Sequence, residues 1–407
     1  MSKKKVITIM VFLLIITNVA TFGLTNLMSV TFNNKAYIPL AEYNQLKSVY
    51  NEFTKVIAVE KYIKENYLRD IDEGKLSDGQ LKGMLQSLDD PYSTYMTKDE
   101  FASFLQQTSG TYGGIGVVVT PGDDNLITVV SPIEGTPGER AGIKSGDKII
   151  KVDGIEFMAE NMDKAVKVMK GDPKTTVVLT IMRKDKEGKN EILDIEITRE
   201  IIRLVTVKSN IIDDDIGYIK LTSFDDLTYK DFKTELDKLG RRNIKGLVID
   251  LRNNPGGLLD RCVQIADELL GEGDIVYTQT KNGTRVYERS NKAMVDYPLV
   301  LLVNGGSASA SEILAGAIKD HKRGTLIGTT TFGKGVVQRI KDLDDGSGLK
   351  LTISEYFTPN GINIHGIGIE PDIVVELPEG VEEIGVDNLK EDTQLKRAIE
   401  EIKSKIK

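Results

Sequence analysis

"IKGLVIDLRNNPGGLLDRCVQIADELL", residues 244–270, sets an apolar run, a Pro/Gly turn and an amphipathic run in succession. The first run has the length of a buried strand, and the last repeats its apolar residues three and four apart, as a helix does. Pro255, Gly256 and Gly257 punctuate the change between them. The same rhythm extends both ways. "IGYIKLTSF" (216–224) and "YKDFKTELDKLGR" (229–241) precede it, and "DIVYTQT" (274–280), "PLVLLVN" (298–304), "SEILAGAIKDH" (311–321) and "GTLIGT" (324–329) follow. Such alternation predicts a layered α/β body with buried strands.

Upstream the texture changes. From about 110 to 199 short alternating segments, among them "NLITVVS", "DKIIKVDGI", "TVVLTIMRK" and "EILDIEITRE", are separated by Gly, Pro and Asp turns around one helical stretch, "NMDKAVKVMKG". This predicts a compact β-rich domain. From about 41 to 88 apolar residues fall three and four apart, predicting two or three amphipathic helices that need a partner surface. "LDDPYSTYMTKDEF" (88–101) breaks that pattern at Pro91 and restarts a helix at Thr97, with Glu100 at capping-box spacing. The charged tail from 381 to 407 is expected to be helical and to form another interface element.

The chain has 407 residues, enough for several cores, and a net charge of -8. No basic stripe interleaved with aromatics is present, so nucleic acid is excluded as a general partner. With one cysteine, Cys262, and two histidines, Cys/His metal sites are excluded; no metal and no cofactor is expected. Cys262 lies in an apolar pattern and reads as a small buried hydrophobe. "MSKKK" leads into an uncharged apolar stretch from Val6 to Leu24, just long enough to cross a bilayer of about 30 Å hydrocarbon thickness. The lysines hold the N-terminus in the cytoplasm, which places the body on the extracytoplasmic face, tethered by an uncleaved anchor or, alternatively, secreted after signal cleavage.

Four stretches carry candidate binding and chemistry. "YGGIGVVV" (112–119) puts Val119 where a dinucleotide loop needs its third glycine, leaving a loop whose free N–H groups can hold an anion or merely make a tight turn. "NGGSASASE" (304–312) has Ser309 followed three residues later by Glu312. That is capping-box spacing, and the same geometry at a helix mouth suits a nucleophile flanked by oxyanion donors. Neither His321, at a charged helix end, nor His365, in a turn, comes with a carboxylate that would complete a Ser-His-Asp arrangement. In "TTTFGKGVVQ" (329–338) Lys334 sits between two glycines in an apolar stretch. It is either an exposed turn lysine or a base whose ammonium is disfavoured by burial, at about 1.4 kcal/mol per pKa unit. Gln338, four residues on, shares its face and offers an amide oxygen to orient the amine. The turn at 255–257 presents unpaired N–H groups at a helix start, though Pro255 has none.

The loop "GGIGV" followed by "GTPGERAGIKSGDKIIKVDG" (135–154) resembles a PDZ domain. That resemblance implies a peptide C-terminus added along the strand from Val117, its carboxylate held around Gly114, Ile115 and Gly116. Together with "LDDPYSTYM", "DLRNNPGG", "GSASASEILAGA", "FGKGVVQ" and "YFTPNGINIHGIGIEPDI", nearly the whole chain resembles the C-terminal processing peptidases, or tail-specific proteases. The family implies an α/β multidomain protein: a ClpP/crotonase-like peptidase body, an inserted PDZ domain, and helical N-terminal and C-terminal dimerisation elements. It implies a serine endopeptidase acting on polypeptide substrates through their C-termini, with Ser309 as nucleophile, Lys334 as base and Gln338 as orienting group. Oxyanion donors would be the N–H of Ala310 and of Gly256 or Gly257, with Ser307 and Ser311 in structural roles. A homodimer is implied as well. The expected divisions are 1–25 anchor or signal, 26–101 helical, 102–187 PDZ, 188–378 peptidase core and 379–407 helical. The alternative is a membrane-tethered PDZ scaffold without catalysis.

Overall fold

The computed structural model describes residues 2–27, 30–32, 35–184, 187–291, 294–381 and 383–406. The chain divides into two compact units, Met1–Gln80 and Leu81–Lys407.

In the first unit the apolar N-terminal stretch is a helix, Lys3–Leu27. Its Lys3–Gly23 portion is long and apolar enough to cross a membrane, with mean hydropathy 2.3 and none of it buried. The next helix, Leu40–Asn66, buries no residue and exposes Leu46, Val49, Phe53 and Val56. Glu60 and Lys64, one turn apart, pair at 2.8 Å on it. A further helix, Glu73–Gln86, completes the amphipathic region.

In the second unit Thr97 caps the helix Lys98–Ser109. Its N–H donates to Glu100 Oε2 at 2.8 Å and its hydroxyl accepts from Glu100 N–H at 3.4 Å, the reciprocal pair expected from the spacing. Gly110 ends that helix at φ 70°, in the left-handed region. A β-rich domain follows, with strands in the order Asn190–Thr198, Thr176–Lys184, Lys148–Val152, Ile127–Pro132, Val117–Pro121. Its core gathers Ile127, Ile149, Val177, Leu179 and Ile181 under the helix Met162–Met169. A two-strand ribbon, Thr111–Gly114 against Glu200–Arg203, joins it to the body.

The body is built on a sheet ordered Val207–Ile212, Ile216–Leu221, Gly246–Asp250, Leu299–Val303, Thr325–Gly328, Ile373–Val374. Its first pair is antiparallel and the rest run parallel. Gly246–Asp250 and Leu299–Val303 are buried along their whole length. Continuous apolar runs are what strands covered on both faces require. The helices Thr228–Arg241, Leu259–Leu269 and Ala310–Asp320 cover one face. "DIVYTQT" lies outside this sheet. As part of Gly273–Thr280 it joins an antiparallel sheet ordered Arg285–Ser290, Gly273–Thr280, Gly348–Phe357, Val336–Asp342, with Thr94–Met96 on Gly348–Phe357.

The tail corrects an expectation. Helix Thr393–Lys405 sets Leu395, Ala398, Ile399 and Ile402 against Tyr218, Val248, Val300 and Ile327, covering the second face of the parallel sheet. Burying each large aliphatic side chain contributes about 1.5–3 kcal/mol. The sheet of its own chain therefore takes the apolar stripe that was assigned to an interface.

Candidate active site

The nucleophile candidate lies where the buried strand Leu299–Val303 turns into the helix Ala310–Asp320. The flanking serines are occupied. Ser307 Oγ donates to Leu251 O at 2.8 Å and accepts from Asn304 N–H at 3.0 Å, and Ser311 Oγ donates to Asn254 O at 2.9 Å. Ser309, half-buried between them, has φ 55° and ψ -116°. A non-glycine residue held there carries about 1–3 kcal/mol of strain. At the Ser309 end of the capping box the Glu312 N–H donates to Ser309 O at 2.8 Å. The other half of the box is present: Glu312 Oε2 accepts from Ser309 N–H at 2.9 Å.

Glu312 does more than cap. Fully buried, its carboxylate also accepts from Thr331 Oγ1 at 2.6 Å, Gly333 N–H at 2.7 Å and Lys334 N–H at 2.9 Å. One side chain thus ties the main chain of Ser309 to that of Lys334. Hydrogen bonds to a charged group contribute about 1.5–3 kcal/mol each, so the four together exceed the strain at Ser309. The sequence signal for Glu312 was only its place in a capping box.

Ser309, Ala310, Gly256, Gly257, Lys334 and Gln338 line one cavity of about 540 Å³. Burial pushes the Lys334 amine below the usual lysine range and the nearby Lys350 charge adds to this, while Asp90 and Glu312 act in the opposite sense. Among the described residues Lys334 Nζ makes no hydrogen bond; it lies over the Tyr92 ring, 4.8 Å from the centroid. Gln338 enters after an irregularity in the strand Val336–Asp342, and its Nε2 donates to Thr352 Oγ1 at 3.1 Å. Lys334 and Gln338 therefore face the same cavity with no hydrogen bond between them.

The turn at 255–257 separates its two glycines. Gly256 N–H donates to Asn254 Oδ1 at 2.9 Å, whereas Gly257 N–H makes no hydrogen bond among the described residues. A Cβ on Gly256 would meet Ala308 O at 2.7 Å and Ser309 Cβ at 2.8 Å, so glycine lets this loop lie against Ser309. Asn254, fully buried, also donates through Nδ2 to Leu221 O at 2.9 Å and accepts from Ala308 N–H at 3.0 Å. Nothing in its sequence context marked it. Ala310, first in its helix, has an N–H that no helical carbonyl takes.

Neither histidine lines this cavity. His321 caps the far end of the helix with Nε2 2.7 Å from Asp274 O, and His365 Nδ1 accepts from Gly335 N–H at 3.3 Å. Cys262 is fully buried, and burial raises its thiol above the usual range. In the β-rich domain Val117–Pro121 is one of the two edge strands, Asn190–Thr198 being the other. Gly116, at φ 72°, accepts through its carbonyl from Ile133 N–H at 2.8 Å and Thr136 Oγ1 at 3.0 Å, while Gly114 pairs with Glu200 in the ribbon. Of the four loop residues, only Val117 belongs to the edge strand.

The sequence profile of Peptidase family S41 matches residues 215–375, that of a PDZ domain residues 128–183, and that of the activating protease CtpB N-terminal domain residues 14–100. A carboxy-terminal-processing protease of Bartonella bacilliformis is 41% identical over 342 residues, covering 82% of this chain and 77% of the relative. The carboxy-terminal processing protease CtpA of Bacillus subtilis is 40% identical over 331 residues, covering 81% and 70%. A crystal structure of a proposed S41 protease from Bacteroides fragilis, 16% identical, matches with TM-score 0.51 over 84% of this chain and 92% of that one, and bears on the fold alone. The chain belongs to Peptidase family S41, as a serine-type carboxy-terminal-processing protease with a PDZ domain and a helical N-terminal domain.

Proposed function

We propose that Ser309 and Lys334 form the catalytic dyad, oriented by Gln338. The observation that carries this is the strained Ser309 at a helix mouth, opening into the same cavity as a lysine whose amine burial drives toward neutrality. Ser309 Oγ attacks the peptide carbonyl carbon while its proton passes to Lys334 Nζ. The C–N bond breaks as Lys334 returns the proton to the leaving amine; water then attacks the ester carbon while Lys334 takes its proton, and the ester C–O bond breaks with that proton returning to Ser309 Oγ. Oxyanion donors are the N–H groups of Ala310 and Gly257, since Gly256 N–H already serves Asn254. Gln338, its amide nitrogen turned to Thr352, keeps its oxygen for the lysine.

The substrate C-terminus docks along Val117–Pro121, whose place at an edge of the sheet next to the loop Gly114–Val117 supports strand addition, with that loop receiving the carboxylate. The ClpP/crotonase-like description of the body rests on its parallel sheet and covering helices. Of the divisions 1–25, 26–101, 102–187, 188–378 and 379–407, the boundary at 187 moves to about 199, because Asn190–Thr198 completes the β-rich sheet, and the last segment packs on the core as described. The unburied apolar side chains of Leu40–Asn66 support a homodimer formed through the N-terminal region. The apolar N-terminal helix is consistent with a signal or an anchor and supports work on the extracytoplasmic face of the membrane.

The test uses the full chain in detergent, with Ser309→Ala and Lys334→Ala, on an unstructured protein ending in either apolar or acidic residues. Both variants are expected to lose cleavage by at least about a thousandfold. Equal turnover by all three proteins would remove the dyad, and indifference to the substrate's end would remove the PDZ role.

A further inference from the structure

Lys334 Nζ rests on an aromatic face. The Tyr92 ring lies under it at 4.8 Å from the centroid, within the range of a cation–π contact. That ring is held from several sides. Its main-chain N–H donates to Asp90 Oδ1 at 3.0 Å, and the next residue, Ser93, donates to Asp90 Oδ2 at 2.6 Å while accepting from Thr352 N–H at 2.9 Å. The His365 ring packs against it edge-on, with centroids 6.2 Å apart. Thr352 is also the partner of Gln338, so the Tyr92 segment is tied to the orienting group as well. The lysine main chain is fixed by Glu312, which leaves its flexible side chain as the part that moves. In this arrangement Nζ makes no hydrogen bond to Ser309 Oγ.

We propose that Tyr92 is a positioning residue for the base, its ring face being the seat on which the Lys334 ammonium rests until it loses its proton to solvent and turns to Ser309 as the neutral amine. The inference rests on the reading of Lys334 as base. A ring face attracts the ammonium and not the neutral amine, so Tyr92 favours the protonated form. The other groups facing this amine are Asp90, Glu312 and Lys350, with His365 behind the ring. Asp90 and Glu312 act in the same sense as Tyr92, and Lys350 acts against it.

The consequence is a shift in the pH profile that depends on aromaticity and not on the hydroxyl. kcat/KM is measured against pH for the full chain in detergent, as wild type, Tyr92→Phe, Tyr92→Leu and Lys334→Ala. Tyr92→Phe keeps the ring and is expected to follow the wild-type profile. Tyr92→Leu is expected to move the rising limb to lower pH by about half a unit to one and a half units. A limb that stays put or moves upward in Tyr92→Leu, or a Phe variant that shifts as Leu does, overturns the proposal while leaving the dyad intact. Cleavage by Lys334→Ala would overturn the dyad itself and this seat with it. If Leu abolishes turnover, the ionisation is read from the ¹³Cε resonance of Lys334 in labelled Ser309→Ala protein with and without Tyr92→Leu, the resonance being identified by its loss in Lys334→Ala. The same downward shift is required there, and its absence overturns the proposal.

Discussion

Glu312 shows how a residue chosen for local reasons acquires a second task. At helix position N3 it caps; buried against the loop 331–334, it also fixes the main chain that carries Lys334. Glu312→Gln presents an amide N–H₂ to donors that need an acceptor. It is expected to cost about 1–3 kcal/mol in urea unfolding and to lower kcat more than it raises KM. An unchanged urea midpoint would show that the four bonds do not hold the loop. Lys350 tests electrostatics at the same scale. Its charge helps keep the Lys334 amine low, so Lys350→Gln should raise the Lys334 pKa. Activity needs the neutral amine, and the rising limb of kcat/KM should therefore move to higher pH. A limb moving to lower pH would contradict the assignment. The three polar residues expected from sequence all reach one cavity, whereas Tyr92, Asn254 and the wider role of Glu312 were not legible. Their partners are distant in the chain and no local pattern joins them.

Elements meet at a buried ion cluster. Arg252, leaving the strand Gly246–Asp250, pairs with Asp250 at 2.6 Å and with Asp392 at 2.8 Å, all three fully buried. Asp392 in turn caps the helix Thr393–Lys405 by accepting from Leu395 N–H at 2.9 Å. Burial alone would raise the Asp392 carboxyl, but the hydrogen bonds and charge of Arg252 outweigh it and hold the carboxyl below the ordinary aspartate range. A depressed folded pKa contributes stability above the unfolded value and loses it as pH falls through the folded one. The stability gap between wild type and Asp392→Asn should therefore be full at pH 7 and shrink below about pH 4, in urea titrations across that range. A gap that is independent of pH would place the effect outside this carboxylate. Arg252→Met, which leaves two buried carboxylates without a cation, should destabilise by about 3–5 kcal/mol, more than Asp392→Asn. This cluster stands just before the turn that carries Gly256 and Gly257, so the tail helix is anchored to the segment that approaches Ser309.

For the whole molecule, the N-terminal helix makes a direct prediction. The intact chain should sediment with membranes and resist extraction by high salt, while a chain lacking residues 1–27 should not; release of the intact chain by salt alone would contradict a spanning segment. The alternation of strand and helix, the turn glycines, the PDZ-like segment and the residue types of the dyad were all set by the sequence. Each is a local pattern, and local pattern decides backbone conformation and which face is apolar. Tertiary structure alone decided that "DIVYTQT" leaves the parallel sheet, that the tail helix closes the body, that Gly256 N–H is taken and Gly257 N–H is not, and that Lys334 rests on Tyr92. The reason is physical: such outcomes depend on which buried donors, acceptors and rings from distant segments satisfy one another. That competition is settled only when the chain packs.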